Sequence, residues 1–396
     1  MNNIERLDTL IFWSLCGYAL TFTISVAAAN FFVILGSILA VIRTFKAMPV
    51  ISVPQQYIRP MLLFFGTMAG LALISDDYSA AIDRVWGFTG RMMPFLLVLA
   101  FLKEKSQIAK LLLFMTVALM FADLYAIWQG LHGNYRAGSF GNHTMDFAGI
   151  LVQFIPILFI AVLDYKWMQY RRYLLFVLTF SVIAMLFNGT RIIWIAVSVL
   201  LPLLLILYYQ SIKKVFPYIV VSLILVGILV SSVPLLHTRV VTLTDMSYQS
   251  NSERVLMWKS AWAMFCDHPL TGVGLGQYPY YYQTEYMSPL AKEIHQRHAH
   301  NNFLQMLAET GLIGFTAYCL MMGSILYYSF SDWLHSRDTS SLMFFAATLG
   351  VGIQSLTDFN FGLNKMMRLY FCLMAMYLQY RYLPTGRSDN TDVEKT

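Results

Sequence analysis

The chain has 396 residues, of which 58% are apolar and only 12% are charged. About a quarter of the residues in a soluble globular domain are charged, so this chain has too few charged side chains to cover a water-soluble fold. The composition predicts a membrane protein with several spans, in agreement with the mean hydropathy of +0.59. It excludes a disordered chain, a coiled coil, a secreted disulfide scaffold and a soluble nucleic-acid-binding protein, so no nucleic acid is expected as a partner.

Twelve segments, taken in chain order, are apolar and long enough for membrane-spanning helices, which need about 20 mostly apolar residues. They cover residues 9–27, 29–47, 60–75, 88–102, 108–129, 146–164, 173–189, 190–210, 215–233, 301–330, 341–357 and 366–383. The number of spans between residues 60 and 102 stays open, because charged residues crowd the link there. The predicted fold is an all-α polytopic membrane protein with about 12 transmembrane helices and one large external loop.

The basic residues predict the orientation, because cytoplasmic loops carry an excess of Lys and Arg. With the N-terminus in the cytoplasm, sixteen Lys and Arg residues lie inside and six lie in short external connections, while five lie in one long loop. Both termini are therefore expected in the cytoplasm. The predicted regions are transmembrane helices 1–9 over 1–233, a periplasmic loop with amphipathic helices over 234–300, helices 10–12 over 301–383, and a cytoplasmic tail over 384–396.

Three groups that carry or can acquire positive charge lie at predicted helix N-termini on the external face. Arg191 follows the turn 188–190, Arg254 follows the capping sequence 251–253, and His300 precedes the tenth span. A cation at a helix N-terminus opposes the macrodipole at a cost of about 0.3–1 kcal/mol, whereas a bound anion reverses the sign. The arrangement predicts an anionic ligand at the outer membrane boundary. The alternatives are that each Arg reaches lipid headgroups, and that Glu253 already supplies negative charge beside Arg254.

Asp358 lies at the outer end of the eleventh predicted span. An acid at a helix C-terminus is also unfavourably placed in the helix dipole. It could orient His300 or an arginine across the bundle. The alternative is a solvated loop acid.

Other patterns on the external loop carry less specific signals. His295, His298 and His300 form an HxxHxH pattern that could bind a metal, but matching acids or cysteines are few, so no metal is expected. The glycines at 272, 274 and 276 lack the strand–helix setting of a dinucleotide site and indicate a turn or a backbone near a ligand. A tyrosine cluster could stack on sugar rings or form a membrane-interface belt; its members are Tyr278, Tyr280, Tyr281, Tyr282 and Tyr286.

Several of these residues resemble motifs of one bacterial family. His300-Asn301, nine residues and then 311–314 (Gly-Leu-Ile-Gly) resemble the His-[Asn/Ser/Gln]-x9-Gly-x-x-[Gly/Thr/Val] signature of O-antigen ligases. Residues 188–191 resemble the Thr-x-[Ser/Thr]-Arg motif of that family, with Asn188 where Thr is common. Residues 253–274 are similar to its Arg-led loop segment, residues 136–142 to its Gly-Thr-Phe-Gly-Asn element, and Asp358 follows the penultimate span. The chain is therefore similar to the O-antigen ligase and O-antigen polymerase superfamily.

The resemblance implies a GT-C-like membrane glycosyltransferase of the bacterial inner membrane, without cofactor or metal, with its site on the periplasmic face. The donor would be a glycan on undecaprenyl pyrophosphate and the acceptor a sugar hydroxyl of lipid A–core or of a growing glycan, within the membrane lipids. Arg191 and Arg254 would neutralise the pyrophosphate, and His300 would take the acceptor proton or hold the hydroxyl for inverting attack. The catalytic set is completed by Asp358. The expected substrate-binding residues are Arg136, Asn301, Tyr278 and Tyr281.

Two alternatives stay open. An O-antigen or exopolysaccharide polymerase shares the same motifs. A lipid-linked oligosaccharide flippase or another transporter also suits twelve spans, but transporters carry ionisable residues near the bilayer midplane. The predicted spans here are nearly free of charge at their centres, and Asp123 is the main exception.

Overall fold

The computed structural model describes residues 3–51, 53–141, 143–232, 234–241, 245 and 248–383. The predicted tail over 384–396 lies outside the described residues. Within them the chain is helical, without a β-strand. The α-helices are α1 (Asn3–Thr21), α2 (Val26–Lys46), α3 (Gln55–Leu73), α4 (Tyr78–Gly90), α5 (Met93–Phe101), α6 (Lys105–Leu131), α7 (Thr144–Leu163), α8 (Arg171–Asn188), α9 (Arg191–Tyr209), α10 (Ile212–Ser232), α11 (Pro234–Val241), α12 (Gln249–Asp267), α13 (Tyr278–Tyr281), α14 (Asn302–Ser336), α15 (Thr339–Gln354) and α16 (Asn364–Tyr382).

The apolar helices support an all-α, multi-pass membrane protein. By length and hydropathy, six helical segments of the described chain can cross a membrane. Five of them are α2, α6, α7, α9 and α14, and the sixth is the segment 165–188, which contains α8. The shorter α15 is also apolar. The total of twelve spans stays a prediction.

The predicted span over 88–102 is divided into two helices. α4 ends at Gly90 and α5 begins at Met93, with Pro94 in its first turn. The break has a physical reason, since Arg91 is buried and donates hydrogen bonds to Asn364 Oδ1 (2.6 Å), the Phe361 carbonyl (2.6 Å) and the Gly362 carbonyl (2.9 Å). The nine residues of α5 extend only about 14 Å at 1.5 Å per residue, which is too short to cross a bilayer alone.

Helix α7 lies at the centre of the bundle. Most of its residues are buried, and it packs against α8, α9, α15 and α16. Around it, α1 pairs with α2, α3 with α14, and α5 with α16. Such all-round burial follows from the nearly continuous apolar sequence of α7, because a helix without a polar face needs neighbours or lipid on every side.

Helix α14 bends at Gly311, whose backbone has φ +57° and ψ −160°. The amides of Leu312 and Ile313 donate to the carbonyls of Pro269 (2.8 Å) and Leu270 (3.2 Å) instead of continuing the helical ladder. A Cβ atom on Gly311 would lie 2.3 Å from the Leu270 carbonyl carbon and oxygen. Glycine is therefore required here both by conformation and by the close approach of the loop after α12.

We expect Gly311→Ala to destabilise the protein by at least about 1–3 kcal/mol, because only glycine readily adopts this backbone conformation. The measurement is the thermal unfolding midpoint of the detergent-solubilised protein. Gly323→Ala is the matched control, since Gly323 lies in the same helix with no atom within 4 Å of a Cβ built there. Equal midpoints for the two variants would contradict the structural role of Gly311.

Candidate active site

A tight turn between α8 and α9 begins the site. α8 ends at Asn188, Gly189 takes the left-handed conformation with φ +66°, and α9 begins at Arg191, as the sequence predicts for residues 188–190. The buried Asn188 amide donates to the carbonyls of Ala137 (2.8 Å) and Thr144 (2.9 Å). The turn is thereby joined to the loop after α6 that carries Arg136. Asn142, the last residue of the predicted motif over 136–142, lies outside the described residues.

Arg191 is the first residue of α9, at the helix N-terminus where the sequence predicts it. Its Nη2 donates to Asn251 Oδ1 (2.9 Å), and its guanidinium lies 5.2 Å from the ring centroid of Tyr248. Both partners belong to the start of α12, so Arg191 connects α9 to α12.

The predicted helix start at Arg254 is wrong. α12 begins at Gln249, so Arg254 lies in its second turn and not in the first. The sequence 251–253 does not cap the helix, because Asn251 bonds Arg191 and the Asp245 carbonyl (2.8 Å). The buried Glu253 carboxylate accepts from the amides of Lys292 (2.9 Å) and Glu293 (3.4 Å), so its hydrogen bonds go to the loop and not to Arg254.

Arg136, Arg191 and Arg254 line one cavity of about 300 Å³, which we call the three-arginine cavity; Tyr248, Trp258 and Thr357 also line it, and its described lining has no acidic residue. Within the described part of the chain, no atom accepts a hydrogen bond from Arg254. Burial lowers the pKa of the Arg254 guanidinium; the Asp358 charge opposes this shift, and the charges of Arg191 and Arg136 add to it. The cavity is therefore a partly desolvated site at which positive charge exceeds the negative charge of the nearby Asp358, and this excess favours an anion.

His300 lies immediately before α14 in the left-handed conformation, with φ +50°. Hydrogen bonds on both sides hold it there. The amide of Ala299 donates to Gln305 Oε1 (2.7 Å). On the other side Asn301 caps α14 by accepting from the amides of Phe303 and Leu304, and its Nδ2 donates to the Leu356 carbonyl (2.9 Å). The side-chain oxygen of Asn301 thus binds the start of α14 and its side-chain nitrogen binds the Leu356 carbonyl, and these bonds together position the adjacent His300.

Asp358 is buried, with 1% of its surface exposed, so the alternative of a solvated loop acid is wrong. Its Oδ1 lies 3.4 Å from the buried Nδ1 of His300, while a quarter of the His300 side chain stays exposed. The loop that carries Asp358 is fixed by Asn302, whose amide nitrogen donates to Asn360 Oδ1 (2.7 Å) and whose oxygen accepts from the Phe361 amide. Asp358 can therefore orient His300, with Nε2 left for substrate.

His298 completes a cluster with His300 and Asp358. The two imidazole centroids lie 4.2 Å apart. Burial lowers the pKa of His298 to about 4; the His300 charge adds to this, and Asp358 opposes it. One potential ligand atom from each of the three residues lies within 4.8 Å of the others, so these three could hold a metal ion.

The predicted tyrosine and glycine features lie elsewhere. Tyr278 is fully buried, its ring stacks on Tyr282, and its hydroxyl donates to the Met257 carbonyl (3.3 Å). Tyr281 lines a different cavity, with His268 and Gly272. Gly272 allows the loop to approach the α14 backbone, because a Cβ there would lie 2.4 Å from the Glu309 carbonyl carbon. The structure brings neither tyrosine to the three-arginine cavity.

Sequence reasoning missed the residues that support the site. Arg91 and Asn302 both donate hydrogen bonds to the loop 355–364, and Tyr248 lies against Arg191. Arg91 alone had a signal, since an arginine inside an apolar segment requires buried acceptors. The amides of Asn188, Asn302 and Asn360 carry no such signal.

Comparison with known proteins gives one family match. Residues 173–319 match the family model described as O-antigen ligase. The matched segment contains Arg191, Arg254 and His300, whereas Arg136 and Asp358 lie outside it. No curated protein matches the chain.

Proposed function

Since the match at residues 173–319 supports membership of the O-antigen ligase/polymerase superfamily, we propose that this protein is an O-antigen ligase. It transfers a glycan from undecaprenyl pyrophosphate to a sugar hydroxyl of lipid A–core, at the periplasmic face of the bacterial inner membrane, with both termini in the cytoplasm. The observation that carries the proposal is the three-arginine cavity next to the His300–Asp358 pair: Thr357 lines the cavity, and the following residue, the buried Asp358, lies 3.4 Å from His300.

The three-arginine cavity is suited to the pyrophosphate of the donor. Negative charge develops on the leaving group as the bond from the anomeric carbon to the phosphate oxygen breaks. Arg191 and Arg254 stabilise this charge in the partly desolvated cavity, where electrostatic interactions are stronger than in water. Arg136 adds a third positive charge at the rim, since its side chain is exposed.

The His300–Asp358 pair acts on the acceptor. With the proton on Nδ1 and directed to Asp358, Nε2 of His300 can take the proton of the acceptor hydroxyl. The hydroxyl oxygen then forms the new bond at the anomeric carbon while undecaprenyl pyrophosphate leaves from the opposite side. The anomeric centre is therefore inverted.

We expect the transfer to be independent of metals, so EDTA should leave the rate of the purified protein unchanged. In a metal site His300 would be a ligand and could not serve as a base. The measurement compares transfer in vesicles before and after chelation, and adds back Zn²⁺, Mg²⁺ or Mn²⁺. Loss of activity in EDTA that one of these ions restores would assign the cluster of His298, His300 and Asp358 to a metal.

Deletion of the gene tests the function and separates the ligase from the polymerase. Loss of a ligase leaves bare lipid A–core on a lipopolysaccharide gel, with polymer held on its lipid carrier. Loss of a polymerase instead leaves core capped by a single repeat unit. Plasmid-borne wild-type protein must restore the original pattern. An unchanged gel would contradict both activities.

A further inference from the structure

A second cavity lies beside His298 and has no role in the function proposed above. It has a volume of about 600 Å³ and is lined by Arg84, His295, Gln296, Arg297, His298 and Phe359, among others. We call it the Arg84–Arg297 cavity. Its size is within the usual range for small-molecule sites of about 300–1,000 Å³.

The His300–Asp358 pair adjoins both cavities through neighbouring residues. Thr357 lines the three-arginine cavity, Phe359 lines the Arg84–Arg297 cavity, and Asp358 separates them along the chain. On the other segment His298 lines the second cavity and its ring contacts His300. Each cavity is thus lined by a chain neighbour of Asp358, and the Arg84–Arg297 cavity is also lined by His298, whose ring contacts His300.

The charges of the Arg84–Arg297 cavity favour an anion. Its described lining contains two arginines and no acidic residue. Next to the lining, the buried Glu309 forms an ion pair with Arg84 (3.2 Å), and the exposed Glu293 accepts a hydrogen bond from Gln296, so two acids offset part of the positive charge. Arg297 is exposed and keeps its charge available to a ligand.

From this geometry we propose that the Arg84–Arg297 cavity is the acceptor subsite, and that it takes a sugar bearing an anionic group, a phosphate or a carboxylate, near the attacking hydroxyl. The inference rests on the proposed function, because inverting attack requires the acceptor to enter opposite the pyrophosphate. With the pyrophosphate in the three-arginine cavity, the Arg84–Arg297 cavity is a second space next to the His300–Asp358 pair, since Phe359 and His298 line it. Its arginines then bind the anionic group while His300 receives the hydroxyl proton.

The test measures transfer by the purified, vesicle-reconstituted protein with undecaprenyl-pyrophosphate glycan and lipid A–core from the same bacterium. We expect Arg297→Gln to raise the acceptor KM about tenfold, the effect of losing one charged hydrogen bond, with kcat and the donor KM unchanged. Arg84→Lys keeps the charge opposite Glu309 and should raise the acceptor KM less. Arg172→Gln is the control, because Arg172 is exposed at the N-terminal end of α8, whereas the turn of the site follows the C-terminal end.

Modified acceptors identify the anionic group. If it is a phosphate, the wild-type protein should use dephosphorylated acceptor as poorly as the Arg297→Gln variant does, and that variant should lose nothing further. If it is a carboxylate, carboxyl-reduced acceptor should behave in this way instead. Either pattern supports the proposal. A rise in the donor KM of the Arg297→Gln variant would overturn it. So would a wild-type protein that uses both modified acceptors as well as it uses the unmodified acceptor. An inactive wild-type protein would instead contradict the proposed function.

Discussion

Replacing His300 with alanine is expected to lower glycan transfer by about 10²–10⁴-fold, the usual contribution of a general base, while the protein stays in the membrane. Nε2 is the His300 nitrogen left for substrate, because Nδ1 lies 3.4 Å from the buried Asp358. The His300 side chain is partly exposed and lies outside the helical ladder of α14. Its removal should therefore affect the reaction more than the fold. The measurement is transfer by reconstituted protein at saturating donor and acceptor.

His335→Ala is the matched control, since His335 lies exposed in the last turn of α14, the helix that His300 precedes. A second variant separates two roles of His300. Glutamine can hold the acceptor hydroxyl by a hydrogen bond but cannot remove its proton. If His300 is the base, His300→Gln should be as inactive as His300→Ala, whereas partial activity of His300→Gln would indicate positioning alone. Near-wild-type transfer by His300→Ala would exclude both roles.

How well the fold could be predicted depended on whether a feature is determined by neighbouring residues or by residues far along the chain. Helix α7 was predicted within two residues at each end, because a long apolar segment is a local property of the chain. The segment over 88–102 was predicted as one span, since its composition is apolar and nothing local shows the three acceptors around Arg91. Those acceptors lie about 270 residues further along the chain. Long-range partners of this kind cannot be read from periodicity.

The site shows the same division. Arg191 was placed correctly at a helix start, because Gly189 marks the turn before it. The start of α12 was misplaced, because a capping sequence at 251–253 competes with tertiary partners, and Asn251 bonds Arg191 instead. The convergence of Arg136 with Arg191 and Arg254 depends on the buried amide of Asn188, which bonds the loop carrying Arg136. Only the folded chain shows that contact.

Removing either Arg191 or Arg254 of the three-arginine cavity should also reduce transfer strongly. We expect Arg191→Ala and Arg254→Ala each to lower kcat by at least about 10²-fold, as losing one donor to a developing anion does. Lysine at either position should restore only part of the rate, because it keeps the charge but not the paired geometry of a guanidinium. The two losses should combine to less than their product, since in the proposed function both arginines bind one pyrophosphate.

Arg191 and Arg254 differ in their contacts, so their variants should differ in what they disturb. Arg191 also connects α9 to α12 through Asn251, so Arg191→Ala removes a structural contact as well as a charge. Asn251→Ala breaks the same contact and keeps the charge, so it should lower kcat much less than Arg191→Ala. Arg254 has no such hydrogen bond in the described chain, so its variant removes the charge and the side-chain packing but no contact of this kind. Arg172→Ala, at the N-terminal end of α8, controls for the loss of an arginine outside the cavity. Transfer near the wild-type rate by both Arg191→Ala and Arg254→Ala would exclude this cavity as the pyrophosphate site. Apart from these two residues, its described lining has one positive charge, that of Arg136.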